Sequence, residues 1–533
     1  MPASSSTVRA PGACVHTTHG PVLGYDSAGV QVFKGLPYAG APVGAGRWRR
    51  APALAGWADP RGCYSYGPVC PSVQAPQDLA GNEWVFLLPR GAHSAAMEDC
   101  LRINLWAPGQ ASGLDHEARR PVMLWLHGQG FMAGSSQDFL ATDGENLART
   151  QDVLVASINH RVGPLGYLHL GGLLGEDDAD AGNAGMLDIV DALRWLQGNA
   201  AAFGGDPGNI TVFGQSGGGF KLSVLLAMPE ARGLFHKAIV QSGARLRVHT
   251  PESATALVRA MLSGLGLADA APHRLRQALE ELPVEALLKA ANDASSSMAK
   301  TAVPDPGFRN APPFYWMPVA GVPSLPAQPF DPLPPACSAH VPLMVGTTLN
   351  EASPAMNDAA LTGLGWDELP QRLQGDLGSH ARAAIDALRQ IEPQARPVEA
   401  LSVLQGRRFC QSAVALCDSR CADGDAPVYN YLFRWCCPQF GGRAGAFHTG
   451  ELPFVFANSA LCAQTTGGSA AAERLAQRMS AAWAAFARTG SPQHGDLPPW
   501  PVYNRGQRPV MVFDVDCRVD HDPDRALLEV LPA

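Results

Sequence analysis

Short apolar runs, most of them closed by glycine or by polar residues, recur along this chain and alternate with segments of helical spacing. PVMLWLHG (121–128), VLVASINHR (153–161), NITVFGQ (209–215), KAIVQSG (237–243), PLMVGTT (342–348), VYNYLFRW (428–435) and PVMVFDV (509–515) have the length and apolar density of buried strands. Between them, GMLDIVDALRWLQGNAAAF (185–203) places Leu187, Val190, Leu193, Leu196 and Ala200 on one stripe, and KLSVLLAM (221–228) has helical character. Strands alternating with helices predict an α/β protein with a largely parallel central sheet, helices on both faces and right-handed crossovers. Two stretches break the series, 251–340 (helical, then Pro-rich) and 355–425 (mostly helical). Both are expected to pack as a lid over the carboxyl edge of the sheet, where open α/β sheets bind their ligands. With no repeat and no separate linker, residues 1–533 read as one domain carrying these two insertions.

Composition narrows the class. With 46% hydrophobic and 17% charged residues, the chain has ample material for a core. A net charge of -8 argues against a nucleic-acid partner, and the one basic cluster, Arg47-Trp48-Arg49-Arg50, is too short to change that. The N-terminal MPASSSTVRAPGACVHTTHG lacks an apolar signal core, and no run approaches the roughly 18 apolar residues of a membrane span. The expectation is a cytoplasmic protein without a membrane partner; the oligomeric state stays open. Twelve cysteines include no paired CxxC motifs, so a structural zinc site is not expected, and no other metal or cofactor is expected either. Cys410, Cys417 and Cys421 share a helical face and read as buried small hydrophobes.

Candidate chemistry centres on Gly214-Gln215-Ser216-Gly217-Gly218, a G-x-S-x-G pentapeptide between a strand and a helix. That context suits a nucleophilic serine on a strained turn, with the helix N-terminus behind it offering donors to a developing oxyanion. Upstream, Leu126-His127-Gly128-Gln129-Gly130-Phe131 follows a strand as an oxyanion loop would. The spacing of Gly128, Gly130 and Gly134 misses the dinucleotide fingerprint and begins no clean βαβ unit. Ser297-Met298-Ala299-Lys300 has the letters of an S-x-x-K nucleophile but no partner motifs at useful spacing.

Several motifs in order resemble the type-B carboxylesterases, the group that also holds the cholinesterases. VFKGLPYAGAPVGAGRWRRAPAL (32–54), MEDCLRINLWAP (97–108), NHRVGPLGYL (159–168), AAFGGDPGNITVFGQSGGG (201–219) and KAIVQSG carry the likeness over nearly the whole chain. The resemblance implies the α/β-hydrolase fold and a catalytic triad. In GTTLNEA (346–352) Glu351 falls at the family's acid, and in GAFHTGELPFVF (445–456) His448 falls at its histidine. The order Ser216, Glu351, His448 matches nucleophile, acid and base in α/β-hydrolases. Backbone N–H groups of Gln129, Gly130 and Gly217 are then the expected oxyanion donors, with Gln215, Phe131 and Phe314 as pocket residues. The likeness also implies salt bridges Arg47–Glu98 and Arg161–Asp188, a buried Ser242 near the triad, and the Cys70/Cys100 pair that closes a loop in secreted members.

The implied activity is hydrolysis of small uncharged carboxylic esters through an acyl-enzyme. An amidase or carbamate hydrolase could use the same triad, and a binding protein of this fold would have lost the nucleophile. Three positions depart from the family pattern. Gln215 replaces the usual Glu before the serine, and Ala352-Ser353-Pro354-Ala355 offers no aromatic residue, which together weaken a choline-ester site. Gln129 stands where the oxyanion loop usually has Gly, and its side chain needs room. Ala320-Gly321-Val322 replaces an Asp-Gly pair after the aromatic run Phe314-Tyr315-Trp316, which is expected near the acyl pocket.

Overall fold

The computed structural model describes residues 10–73, 83–90, 94–110, 113–115, 117–301, 316–423 and 426–531. Its frame is one sheet built from β1 (Ala10–Thr17), β2 (Gly20–Ser27), β3 (Val30–Pro37), β4 (Arg102–Gln110), β5 (Arg120–Leu126), β6 (Leu154–Ile158), β7 (Gly205–Gln215), β8 (Lys237–Gln241), β9 (Leu343–Thr348), β10 (Val428–Phe433), β11 (Pro509–Phe513) and β12 (Arg518–His521). The spatial order is β1-β2-β3-β4-β6-β5-β7-β8-β9-β10-β11-β12. From β6 through β11 neighbouring strands run parallel. The seven apolar runs named above each supply one of these parallel strands. The antiparallel margins, β1–β4 on one side and β12 on the other, escaped the sequence reading.

Continuous apolar runs make sense here because both faces of the sheet are covered. Successive residues of a strand point to opposite faces. Val122, Leu124 and Leu126 of β5 join one core with Val212, Val240 and Val345, while Met123 and Trp125 join another with Phe213, Ile239 and Met344. The helix Ala184–Asn199 covers the first face and Ala470–Thr489 the second.

The insertions differ in how they are anchored. Helices Pro251–Gly264, Pro272–Glu281 and Val284–Thr301 place Leu257, Val258, Leu279 and Leu287 in the same core as the sheet. Residues 355–404 instead build a separate small core with Leu527 and Leu531 of the C-terminal segment. The long helix Pro397–Asp423 leans on β9 and β10 and carries the three aligned cysteines, of which Cys417 is fully buried. Among the described residues no helix is long and apolar enough to cross a membrane.

Register places the chemistry. Gln215 at the end of β7 pairs with Gln241 at the end of β8, and Gln241 pairs with Gly346 in β9. Ser216, Ser242 and the chain leading to Glu351 therefore leave the sheet side by side at its carboxyl edge. One boundary differs from expectation: the helix behind the serine runs Gly217–Leu225, starting before Lys221. Three glycines in a row weaken the helical signal without preventing the helix, since each packs against backbone.

Candidate active site

Ser216 sits at the turn between β7 and that helix with φ 54 and ψ -119. Such a conformation costs a non-glycine residue on the order of 1–3 kcal/mol, and the surrounding bonds hold it. Its N–H donates to the Gln241 carbonyl at 2.8 Å, and its carbonyl accepts from the Phe220 N–H at 2.9 Å. The turn is so tight that a β-carbon on Gly218 would lie 2.0 Å from the Leu126 carbonyl oxygen.

Glu351 and His448 come from loops 97 residues apart in sequence and meet directly. His448 Nδ1–H donates to Glu351 Oε2, which leaves Nε2 as the proton-accepting nitrogen. Glu351 Oε1 accepts from the Ser242 hydroxyl at 2.7 Å and from the Thr348 N–H at 2.8 Å. Every oxygen of the carboxylate is thus tied down, and its side chain is only 2% exposed against 13% for His448. Gln215 joins this pair to the serine turn, its Nε2 donating to the His448 carbonyl at 2.7 Å.

Across from the serine, the loop after β5 carries Gln129 at φ 63 and Gly130 at φ 61. Gly217 faces it so closely that an added β-carbon would come within 2.2 Å of the Gly130 nitrogen. The loop that carries Gly130 and the start of the helix behind Ser216 therefore meet backbone to backbone. The Gln129 side chain finds its room by turning aside, donating from Nε2 to Asp138 Oδ2 at 2.9 Å. Asp138 also accepts from the Ser135 N–H at 2.7 Å and from the Ser135 hydroxyl, while burial pushes its carboxyl up.

An aromatic row runs from Phe131 to His448. Phe131, buried, packs edge-on against Tyr167 at 5.3 Å and beside Phe220 at 6.2 Å. Phe220 stacks with Phe409 at 6.5 Å, and Phe409 tilts against the His448 ring at 4.9 Å. Phe314 and Tyr315 lie outside the described residues; Trp316 is buried. Phe220 and Phe409 were not anticipated. The first stands four residues beyond the serine, one helical turn on; the second sits in a distant helix that nothing in its own sequence ties to the site.

Two further buried ionisable groups escaped the sequence reading. Glu451 is fully buried, accepts from Gln241 Nε2 at 3.1 Å, and is pushed up to about 8, mainly by burial and next by the Glu351 charge. Lys221 is fully buried beneath the loop after β5, its ammonium donating to the His127 carbonyl at 2.9 Å.

The profile of the carboxylesterase family matches residues 11–529. This chain belongs to the carboxylesterase family. It is a serine hydrolase of carboxylic esters with the α/β-hydrolase fold. This carboxylesterase is 33% identical to the para-nitrobenzyl esterase of Bacillus subtilis (strain 168) over 523 residues, 96% of each chain. It is 34% identical to the phenmedipham hydrolase of Pseudarthrobacter oxydans over 533 residues, 97% of this chain and 99% of that one. A crystal structure of the Geobacillus stearothermophilus carboxylesterase superposes with a TM-score of 0.78 at 34% identity, covering 97% of this chain and 100% of the other.

The carboxylesterase also carries the ion pairs the likeness implied. Arg47 clasps Glu98 through two bonds of 2.6 and 2.7 Å, and Arg161 clasps Asp188 at 2.8 and 2.6 Å. Cys70 and Cys100 are both buried and stand as thiols rather than as a disulfide.

Proposed function

We propose that Ser216, Glu351 and His448 are the catalytic triad, and that the N–H groups of Gln129, Gly130 and Gly217 form the oxyanion hole. His448 Nε2 takes the Ser216 hydroxyl proton as Oγ attacks the ester carbonyl carbon. Glu351 fixes the imidazole tautomer and stabilises the imidazolium. The carbonyl oxygen becomes an oxyanion facing the three N–H groups, each worth roughly 3–4 kcal/mol to the transition state. The C–O bond breaks, the alcohol leaves with the proton from His448, and the acyl group stays on Ser216. Water repeats the sequence, its proton passing to His448 and then back to Ser216 as the acid is released.

The observation that carries this reading is the fully bonded Glu351 carboxylate, with His448 on one oxygen and Ser242 and Thr348 on the other. Such a carboxylate can do little except orient and stabilise the imidazole. We read the substrates as small uncharged esters. The approach is lined by Phe131, Phe220 and Phe409, and neutral Gln215 puts no carboxylate beside the serine. Phe314 belongs to the acyl side of the pocket on the family resemblance. The insertions 251–340 and 355–425 are read as a lid over the active site of one catalytic domain. The cysteines of this chain, unbonded throughout, suit a cytoplasmic enzyme.

The test is hydrolysis of p-nitrophenyl esters from acetate to decanoate, with the matching p-nitroanilides and a fluorophosphonate label. Fast turnover of short esters, silent anilides and a label on Ser216 are expected; full activity in Ser216→Ala would overturn the assignment. A second reading, cleavage of amides or carbamates by the same triad, draws on the likeness to a relative named for hydrolysing phenmedipham. Anilide turnover equal to ester turnover would favour it.

A further inference from the structure

Beneath the loop that carries Gln129 and Gly130 lies a buried polar cluster for which triad chemistry has no use. Lys221 is on the first turns of the helix behind Ser216 and is wholly buried. Its Nζ donates to the carbonyl of His127 at 2.9 Å and reaches the carbonyl of Gly128 at 3.5 Å. The Gly128 carbonyl also accepts from His127 Nδ1 at 3.1 Å. His127 stacks on His160 with centroids 4.8 Å apart, and His160 Nδ1 donates to the Arg161 carbonyl at 2.8 Å. A carbonyl only accepts, so both imidazoles carry a proton on Nδ1. Burial and the nearby Lys221 charge both push their pKa values down, which favours the neutral rings. Asp138, which holds the Gln129 side chain, is the acidic group whose field reaches Lys221.

A trans peptide is planar, and its C=O and N–H point in opposite directions. Whatever pulls the Gly128 carbonyl down beneath the loop therefore turns the Gln129 N–H up toward the other side. The need for such a hold is plain in the backbone, where Gln129 and Gly130 are left-handed in succession. Left-handed backbone is disfavoured for a residue with a side chain, so the loop would relax if released.

We propose that Lys221 is a positioning residue for the oxyanion hole: its ammonium gathers the His127 and Gly128 carbonyls beneath the loop and, through the Gly128–Gln129 peptide, aims the Gln129 N–H at the oxyanion on Ser216. Asp138 holds the same loop from the side through Gln129. The inference rests on the reading of Gln129 and Gly130 as oxyanion donors. Burial brings the Lys221 ammonium down to about 7, so its charge is present at acid pH and fades through the neutral range. The groups facing it are His127, His160 and Asp138. Burial pushes the two histidines well below their ordinary range, and Lys221 is the member of the cluster brought down to near neutrality. As pH rises and the ammonium becomes an amine, its grip on the two carbonyls weakens, and kcat falls on the alkaline side.

The test compares the full-length wild type with Lys221→Met, which keeps the length and removes the charge and the donors. Expected for the variant are a kcat on p-nitrophenyl acetate about 10- to 100-fold lower, a KM within about twofold, and no alkaline limb between about pH 7 and 9. A trifluoromethyl ketone, which forms a tetrahedral oxyanion on the serine, should lose affinity by the same factor. A folded variant with wild-type kcat and ketone affinity overturns the proposal. If Lys221→Met does not fold, the wild type decides: a kcat flat from about pH 7 to 9 overturns it, and a decline centred near Lys221's titration supports it. Mass spectrometry of the fluorophosphonate adduct keeps the two readings apart. A label on Ser216 with no Lys221 effect sinks this inference alone, whereas a label elsewhere sinks the assignment of the triad beneath it.

Discussion

Gly217 and Gly130 stand backbone to backbone, so close that a β-carbon on Gly217 would meet the Gly130 nitrogen and carbonyl oxygen at 2.2 Å each. Neither neighbour is a flexible side-chain end, so Gly217→Ala forces the loop after β5 away from Ser216. Expected is a loss in kcat of about 10²-fold, near that of one oxyanion donor, with KM changed much less. Steady-state kinetics on p-nitrophenyl acetate checks it, with a melting curve to show that the fold survives.

Glu351→Gln tests the carboxylate. Oε1 faces two donors, the Ser242 hydroxyl and the Thr348 N–H, and Oε2 faces a third, His448 Nδ1–H. An amide has one acceptor end, so either orientation sets its NH2 against a donor. The imidazole loses its orientation or its tautomer, and kcat should fall by about 10³- to 10⁴-fold with the fluorophosphonate label slowed in parallel.

Gln215→Glu adds a negative charge one residue before Ser216 and replaces the donor to the His448 carbonyl with an acceptor. The nearby charge favours protonated imidazole, so the acid limb of kcat/KM should move up by about one pH unit. The pH profile of wild type and variant on one neutral ester is the measurement. An unmoved limb would mean that the new carboxylate takes up a proton or turns away.

Glu451 gives a stability prediction. Its folded-state value is raised to about 8 from an ordinary 4.5, so between those values the native protein holds a proton that the unfolded chain releases. Its contribution to stability is present at acid pH and lost as pH rises through about 8. Melting temperatures from about pH 5 to about pH 9 should fall more steeply for wild type than for Glu451→Gln. Taking the difference between the two removes the opposite slope that Lys221, lowered rather than raised, adds above neutrality.

What the sequence determined by itself was the frame and the serine turn. The apolar runs at 121–128, 209–215 and 237–243 became β5, β7 and β8 because strands buried on both faces need unbroken hydrophobic residues. Gly214, Gly217 and Gly218 marked the serine turn because a β-carbon at any of them would run into neighbouring backbone. Glu351 and His448 were legible only through likeness to a family, since one glutamate or histidine among many carries no local pattern. The tertiary structure alone decided the surroundings. It brought Phe409 from a helix in the second insertion onto His448, turned the Gln129 side chain toward Asp138, and seated Lys221 under the loop after β5. Each of those contacts joins segments distant in the chain or depends on which way a side chain turns. Sequence periodicity records which face of an element is buried, whereas the partner met there is set only when the elements pack.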